Sequence, residues 1–181
     1  CLSVERVVIV ESDEWLTLGY NTYHSTYSDP EGRGLFFDCP LTSVYIGRNL
    51  SYNTDDNSGN SPFARIETLT EAHFGDPVKT IQPYLFRGCK SLKTLLYKDE
   101  CAPTSIEKYA FWGCTSLTGT DIVFPESVQT ICEGAFCHCT SLESYTIPNH
   151  ITNVENNAFQ DCDKLKSIVI KPSVKSIGSY S

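Results

Sequence analysis

One short pattern recurs along this sequence at a nearly constant interval. It occurs as LFRGCKSL at 85–92, AFWGCTSL at 110–117, AFCHCTSL at 135–142 and AFQDCDKL at 158–165. The aligned phenylalanines are separated by 23, 25, 25 and 23 residues; they are Phe63, Phe86, Phe111, Phe136 and Phe159. A period of this length indicates stacked structural units, and it restricts the possible folds more than any other feature of the sequence.

Apolar residues follow each pattern leucine at offsets of three, five, nine and twelve. After Leu142 they are Tyr145, Ile147, Ile151 and Val154. The alternation at offsets three and five predicts a short strand with one buried face, and the Ala-Phe-x-x-Cys segment predicts a single helical turn that points its Phe and Cys inward. One such unit cannot bury its own apolar face, so we expect a solenoid whose stacked units share a core.

Two of the units are longer than the others by two residues. One insertion follows Leu117, where we expect Ile122 and Phe124 to take the inward strand positions, and the other lies at residues 101–104. The chain begins within one repeat and ends within another. We therefore expect an excised piece of a longer protein, whose end coils either associate end to end or are capped by residues 10–34.

The repeat resembles the BspA-like leucine-rich repeats of bacterial cell-surface proteins. The Ala-Phe-x-x-Cys-x-x-Leu core and the segment IPNHI at 147–151 carry the resemblance, which extends from Leu35 to the C-terminus. Together with the period it implies an α/β repeat fold in one domain, 1–181, of about seven full or partial repeats of 23–27 residues. The expected architecture is a right-handed leucine-rich-repeat solenoid with short parallel strands on one face and turns or single-turn helices on the other.

Nine cysteines in 181 residues are typical of a disulfide framework, but their register argues against one. Six of them share the inward position of the repeat: Cys1, Cys39, Cys89, Cys114, Cys139 and Cys162. Side chains stacked in parallel lack disulfide geometry, and a buried free cysteine behaves as a small hydrophobic residue, so we predict a ladder of reduced core thiols. We expect Cys101, Cys132 and Cys137 to be exposed or half exposed, and a bridge between Cys101 and Cys132 is an open alternative.

Metal binding or catalysis would be a second use of these side chains. The candidate ligands are Cys132, Cys137, His138, Cys139 and His150, but their spacing differs from that of known zinc sites, and we expect surface turn residues instead. Cys137 and His138 are chain neighbours, which on a tight turn point apart, so a thiol-dependent enzyme is the least favoured hypothesis. We therefore predict no enzyme, and we assign no catalytic residue, cofactor or metal ligand.

Charge and hydropathy argue against two further classes of protein. The formal net charge is -8 and the Lys and Arg residues are scattered, whereas a nucleic-acid-binding protein needs a basic stripe. No apolar run approaches the roughly 20 residues that span a bilayer, so we expect no membrane insertion by this segment.

The strand face is the first candidate binding surface. We expect one residue per strand to point outward; these are Val8, Tyr45, His73, Leu96, Val123, Thr146 and Val169. Four of them are aliphatic and one is Tyr, which favours an apolar interaction stripe, although strand propensity alone would also account for them. The second candidate is the tyrosine-rich insertion, a binding loop or a partial cap, with the aromatic residues Trp15, Tyr20, Tyr23 and Tyr27.

These features favour a non-enzymatic binding module, secreted or attached to the cell surface through a signal or anchor outside this segment. The resemblance implies a protein or glycan partner, with host extracellular matrix as one source. The alternative is a structural spacer that displays other domains of a larger surface protein.

Overall fold

The computed structural model describes residues 3–19, 34–54 and 61–181. Within these ranges the chain forms twelve short strands and no helix. In chain order the strands are β1 (Arg6–Ile9), β2 (Leu16–Thr17), β3 (Ser43–Ile46), β4 (Leu50–Ser51), β5 (Glu71–Phe74), β6 (Thr94–Tyr97), β7 (Ser105–Ile106), β8 (Thr130–Ile131), β9 (Ser144–Thr146), β10 (Asn153–Val154), β11 (Ser167–Val169) and β12 (Ser176–Ile177).

The strands pair in parallel between successive coils, and they form two ladders. The first ladder runs β1-β3-β5-β6 and continues, after a gap, as β9-β11. The second ladder runs β7-β8-β10-β12, and β2 pairs with β4 in the same parallel manner. The predicted parallel-strand solenoid is therefore confirmed, whereas its right-handedness stays a prediction.

The second ladder was not predicted from the sequence. Its strands are two residues long, and they carry the apolar residue at offset twelve of the repeat: Ile106, Ile131, Val154 and Ile177. A single apolar residue in a two-residue strand produces no alternation, so periodicity cannot reveal it.

The Ala-Phe-x-x-Cys segments form turns instead of helices. Their backbone amides alternate between two kinds of acceptor: Leu85 N donates to Gln82 O within the coil at 3.3 Å, whereas Phe86 N donates to Ala110 O of the next coil at 2.9 Å. A helix would need every amide for its own i−4 carbonyl. The predicted single-turn helices, and with them the α/β class, are wrong because every second amide is committed to the neighbouring coil.

Left-handed backbone conformation at two repeat positions also excludes a helix. The residues two before and two after the last four pattern Phe residues have φ between 53° and 73°: Tyr84, Gly88, Tyr109, Gly113, Gly134, His138, Asn157 and Asp161. A positive φ every four residues cannot occur within a right-handed helix. At Gly134 the requirement is also steric, because a Cβ there would lie 2.0 Å from the Tyr109 ring.

The pattern phenylalanines form one continuous stack through the core. Successive ring centroids lie 5.3 to 6.1 Å apart with interplanar angles of 7 to 20°, through Phe36, Phe63, Phe86, Phe111, Phe136 and Phe159. Phe63, Phe86, Phe111 and Phe136 are fully buried. Stacked rings at this spacing add to the stabilisation that burial of their apolar surface supplies.

The predicted ladder of core thiols is confirmed for the described residues. Cys39, Cys89, Cys114, Cys139 and Cys162 are buried and free, and Cys1 lies outside the described residues. The last four place Sγ 3.0 to 3.3 Å from the carbonyl oxygen of the preceding coil's pattern Phe. The thiol is thus a hydrogen-bond donor between coils as well as a small apolar group.

The other three cysteines are also buried, so the expectation of exposed or half-exposed thiols is wrong. Cys101, Cys132 and Cys137 are 4%, 9% and 4% exposed. Cys101 and Cys132 are both free, so the bridge between them is not formed. Burial raises the pKa of Cys101 to about 11 and that of Cys132 to about 12.

The insertion after Leu117 interrupts the first ladder. Ile122 and Phe124 are buried as predicted, but residues 118–124 contain no strand, so their expected strand positions are wrong. Asp121 accepts hydrogen bonds from the backbone N–H of Thr118 at 2.9 Å and from its hydroxyl at 2.7 Å. This side-chain turn takes the place of the strand, and it leaves β6 and β9 as edge strands of their sheets.

The predicted cap over residues 10–34 is described only in part. Residues 16–17 form β2, and residues 20–33 lie outside the described part of the chain. At the other end, Ile170 and Ile177 are 50% and 47% exposed because no further coil packs against them. End-to-end association through this apolar surface stays a prediction.

Candidate functional site

The first ladder displays its outward residues in one row. Tyr45 pairs with Val8 on one side and with His73 on the other, and His73 pairs with Leu96. In the second part of the ladder Thr146 pairs with Val169. Parallel strands paired in register therefore bring together residues that are 23 to 37 positions apart in the sequence.

These residues are accessible to different degrees. Val8, Leu96 and Val169 are 52%, 47% and 48% exposed, and Tyr45 and His73 are half-buried. Exposed valine and leucine side chains beside an aromatic ring make a mixed apolar surface that a partner could cover. We call the row Val8, Tyr45, His73 and Leu96 the front row.

A polar network holds Tyr45 within the front row. The Tyr45 hydroxyl donates to Glu11 Oε1, and Lys98 Nζ lies 2.8 Å from the same carboxylate and 3.3 Å from Asp76. The hydrogen bond to Glu11 raises the pKa of Tyr45, whereas the hydrogen bonds from Lys98 and Tyr45 lower the pKa of Glu11. The network links four coils, so it holds the Tyr45 ring in one orientation.

The gap in the first ladder separates the front row from Thr146 and Val169. Val123 is 64% exposed, but it lies on the inserted turn and on no strand, so it does not continue the row. A groove of about 570 Å³ opens on the β6 side of this turn, with Leu96 and Val123 among its lining residues. A second groove of about 460 Å³ lies on the β9 side. Sequence reasoning placed Val123 in register but missed this division of the face.

The aromatic insertion is visible only at its start. Trp15 is 55% exposed, next to β2. Tyr20, Tyr23 and Tyr27 lie outside the described residues. Whether the four rings act together as a binding loop therefore stays a prediction.

A third surface feature, in the turn segments, was missed by the sequence analysis. We call it the turn groove: a groove of about 330 Å³ lined by Tyr84, Arg87, Tyr109, Trp112, Cys137, His138, Gln160 and Asp161. His138 and Asp161 occupy the same position in consecutive coils, two residues after Phe136 and Phe159. Aligning the repeats would have placed them side by side.

The turn groove corrects one prediction about its chemistry. Cys137 and His138 were expected to point apart, yet the Cys137 sulfur, a His138 ring nitrogen and an Asp161 oxygen all lie within 4.8 Å of one another. His138 has a left-handed φ of 59°, so the turn here differs from the ordinary tight turn that the prediction assumed. Burial, followed by the charge of Asp161, raises the pKa of Cys137 to about 11, so the thiol is protonated at neutral pH.

The other candidate metal ligands do not join this group. Cys139 is fully buried in the core ladder, and Cys132 lies in the second-ladder turn beside Glu107 and Glu155. Burial lowers the pKa of His150, which favours its neutral form. The five residues considered from the sequence are therefore not one cluster.

Comparison with known proteins agrees with the repeat geometry. The family model for the BspA type leucine-rich repeat region, with six copies, matches residues 31–118 and 56–181. The chain belongs to this family. Leucine-rich-repeat proteins are in general protein-interaction modules, and BspA-type proteins are typically bacterial surface proteins and typically non-catalytic.

Two solved structures are similar to this chain. The T. pallidum leucine-rich repeat protein, known from a crystal structure, is 20% identical, with a TM-score of 0.54, covering 84% of this chain and 79% of that one. A leucine-rich repeat protein from Bacteroides ovatus is 22% identical, with a TM-score of 0.45, covering 76% of this chain and 45% of that one. The first likeness supports the fold. A search of curated proteins found no match.

No helix in the part of the chain that the structure describes has the length and apolarity needed to cross a bilayer.

Proposed function

We propose that this chain is a non-enzymatic binding module that takes a protein partner through the front row at the cell surface or outside the cell. The observation that carries the proposal is the unbroken register of β1, β3, β5 and β6, which aligns four outward side chains on one rigid face. Exposed Val8 and Leu96 lie at its ends, and the Tyr45 ring is held between them by Glu11. Aromatic and aliphatic side chains that are already held in one orientation lose little conformational entropy when they bind a partner.

The pattern of charges around the row favours a protein partner over a glycan. Lys98 pairs with both Glu11 and Asp76 beside the row, so the row offers apolar contact with a polar rim. A glycan partner, for instance from mucin, would use exposed aromatic rings such as Trp15 instead. Host extracellular matrix is the protein source to test first, because the family is typically displayed on bacterial surfaces.

The proposal is tested by capture of partners from matrix, serum and mucin extracts. Leu96→Glu places a charge in the exposed front row, and we expect it to reduce capture by at least about tenfold, as loss of an interface anchor does. The matched control is Gln129→Glu, which adds the same charge at an exposed position outside the first ladder. Tyr45 is left unchanged because a carboxylate there would lie against Glu11 and disturb the fold.

The interruption of the first ladder favours a second candidate, a structural spacer. A face divided after β6 offers fewer aligned residues to a partner than a continuous one. A spacer predicts that Leu96→Glu and Gln129→Glu behave alike in every extract and in display of the parent protein's other domains. If both variants still capture a partner equally well, the binding site lies outside the front row.

A further inference from the structure

We propose that Cys137, His138 and Asp161 form a binding site for one thiophilic divalent cation such as Zn²⁺. The site lies in the turn groove and is independent of the front row. The three residues offer a sulfur, an imidazole nitrogen and a carboxylate oxygen, which is a donor set that zinc accepts.

The separations between these atoms suit one small ion. His138 Nε2 lies 3.3 Å from Asp161 Oδ2, and no pair among the three donor atoms is more than 4.8 Å apart. Zinc bonds of about 2.0–2.3 Å in tetrahedral geometry separate neighbouring donors by about 3.3–3.7 Å. The nitrogen and oxygen are already at that spacing, and a rotamer adjustment of the sulfur completes it.

The repeat backbone holds the donors in place. His138 N donates to Gln160 O at 2.8 Å, which joins the His138 turn to the Asp161 turn. On the other side Gly113 N donates to Cys137 O at 2.8 Å. Because three coils fix the two turns, the backbone that carries the donors is ordered, and only the Cys137 side chain has to adjust when an ion binds.

The surroundings resemble the supporting shell of a metal site. The Trp112 ring packs edge-on against the His138 ring with centroids 5.0 Å apart. Arg87 lies 4.5 Å above the Trp112 ring and fixes it in turn. These contacts hold the His138 ring in one orientation, as outer contacts do for metal ligands. The groove leaves a fourth coordination position open to water or to an external ligand.

The competing explanation is a surface His138–Asp161 ion pair next to an unrelated buried thiol. An ion pair needs no sulfur, whereas metal binding needs all three donors. Cobalt distinguishes the two, because Co²⁺ bound to a thiolate gives a charge-transfer absorption band that carboxylate and imidazole ligands do not give.

The test is titration of the reduced, chelator-treated chain with Co²⁺, followed by displacement with Zn²⁺. We expect one equivalent of Co²⁺ with a thiolate charge-transfer band that Zn²⁺ abolishes. Cys137→Ser should remove the band, and Asp161→Asn should weaken affinity by about tenfold or more. Cys132→Ser and His150→Gln, which lie outside the cluster, should leave binding unchanged.

Three results would overturn the proposal: no saturable band in the natural chain, a band that survives Cys137→Ser, or an affinity that Asp161→Asn does not change. Asp161 is exposed, so Asp161→Asn remains informative even if the buried Cys137→Ser variant does not fold. Far-UV circular dichroism of each variant separates loss of the site from loss of the fold.

Discussion

The coil that contains β6 and the coil that follows it share one repeat pattern but not one structure. In both coils the inward apolar residues are buried: Leu95 in the first, Ile122 and Phe124 in the second. Only the first coil has a strand at these positions. The comparison shows that apolar spacing decides which side chains face the core, whereas local polar groups decide whether the backbone between them pairs as a strand.

The cause of the difference is the four-residue stretch Thr118–Gly119–Thr120–Asp121. The Asp121 carboxylate captures the Thr118 N–H, a donor whose counterparts in other coils, such as Lys93, bond to the preceding coil. Gly119 lies so close to β9 that a Cβ there would meet Ser144 O at 1.9 Å. The turn therefore packs against the following coil and forms no strand pairing with β6 of the preceding coil.

The largest expected effect concerns the phenylalanine stack, which continues from Phe111 to Phe136 across this turn. Phe111→Ala, which removes a fully buried ring between Phe86 and Phe136, should lower the free energy of unfolding by about 3–5 kcal/mol. Phe36→Ala, at the half-buried end of the same stack, should cost less. Urea denaturation measures both. If both variants lost the same free energy of unfolding, burial of the ring would not determine the cost of its removal.

Alkylation of thiols tests the same continuity without mutation. Burial raises the pKa of Cys89 to about 12 and holds the pKa values of Cys114 and Cys139 well above normal, so little thiolate exists at neutral pH. We expect iodoacetamide to modify the buried thiols of the described residues at least about a hundredfold more slowly than free cysteine. Mass spectrometry after digestion should show equal protection of Cys114 and Cys139, which flank the turn. Rapid modification of any of these eight thiols would contradict the buried core and would bring back the hypothesis of a thiol-dependent enzyme.

The core was predictable from the sequence because its apolar residues recur at fixed offsets in successive repeats. The offsets of Tyr145, Ile147, Ile151 and Val154 from Leu142 specify an inward register, and all four are buried. Turn conformation depends on single residues instead. The positive φ at Tyr84 and Tyr109 belongs to no turn motif that side-chain type would reveal, so the segment was expected to be helical.

Candidate sites were harder to predict for a related reason. The outward register of Val8 and Leu96 follows from alternation, and both are exposed. The proximity of Cys137, His138 and Asp161 depends on a stacking between coils combined with a left-handed residue, and neither is visible in the local spacing. Alignment of the repeats in columns would have revealed the stacking of His138 on Asp161 between coils, but not the left-handed backbone.

Removal of the insertion tests the cause of the gap directly. Deletion of Gly119 and Thr120 restores the common offsets for Ile122 and Phe124, and we expect a new strand between β6 and β9. A few new backbone hydrogen bonds should stabilise the fold by on the order of 2 kcal/mol. Hydrogen exchange of the Leu95 and Tyr97 amides, on the free side of β6, should slow markedly.

The control for this deletion is Asp121→Ala in the full-length chain. It removes the side-chain acceptor but keeps the two extra residues, so the offsets remain wrong and no strand should form. If Asp121→Ala alone protects the Leu95 amide, the captured Thr118 N–H and not the extra length is the cause of the gap.

The smallest expected effect concerns the polar network on the continuous side of the gap. The hydrogen bonds from Lys98 and Tyr45 lower the pKa of Glu11 in the folded state, so the ionised carboxylate stabilises the fold at neutral pH. This stabilisation is present above the pKa that Glu11 has in the unfolded chain, and it is lost as the pH falls through the lowered folded-state pKa. Glu11→Gln should therefore lower Tm slightly at pH 7, and the two Tm values should converge in acid.

Screening of charges by salt gives a second test of the Glu11→Gln prediction. The Glu11 and Lys98 side chains are partly exposed, so added salt should reduce the Tm difference between the natural chain and Glu11→Gln. Glu126→Gln removes the same charge at another exposed glutamate and is the matched control for net charge. A Tm difference that persists unchanged in acid would show that Glu11 acts by packing against Tyr45 and not by charge, and the rigidity of the front row would then have a different origin.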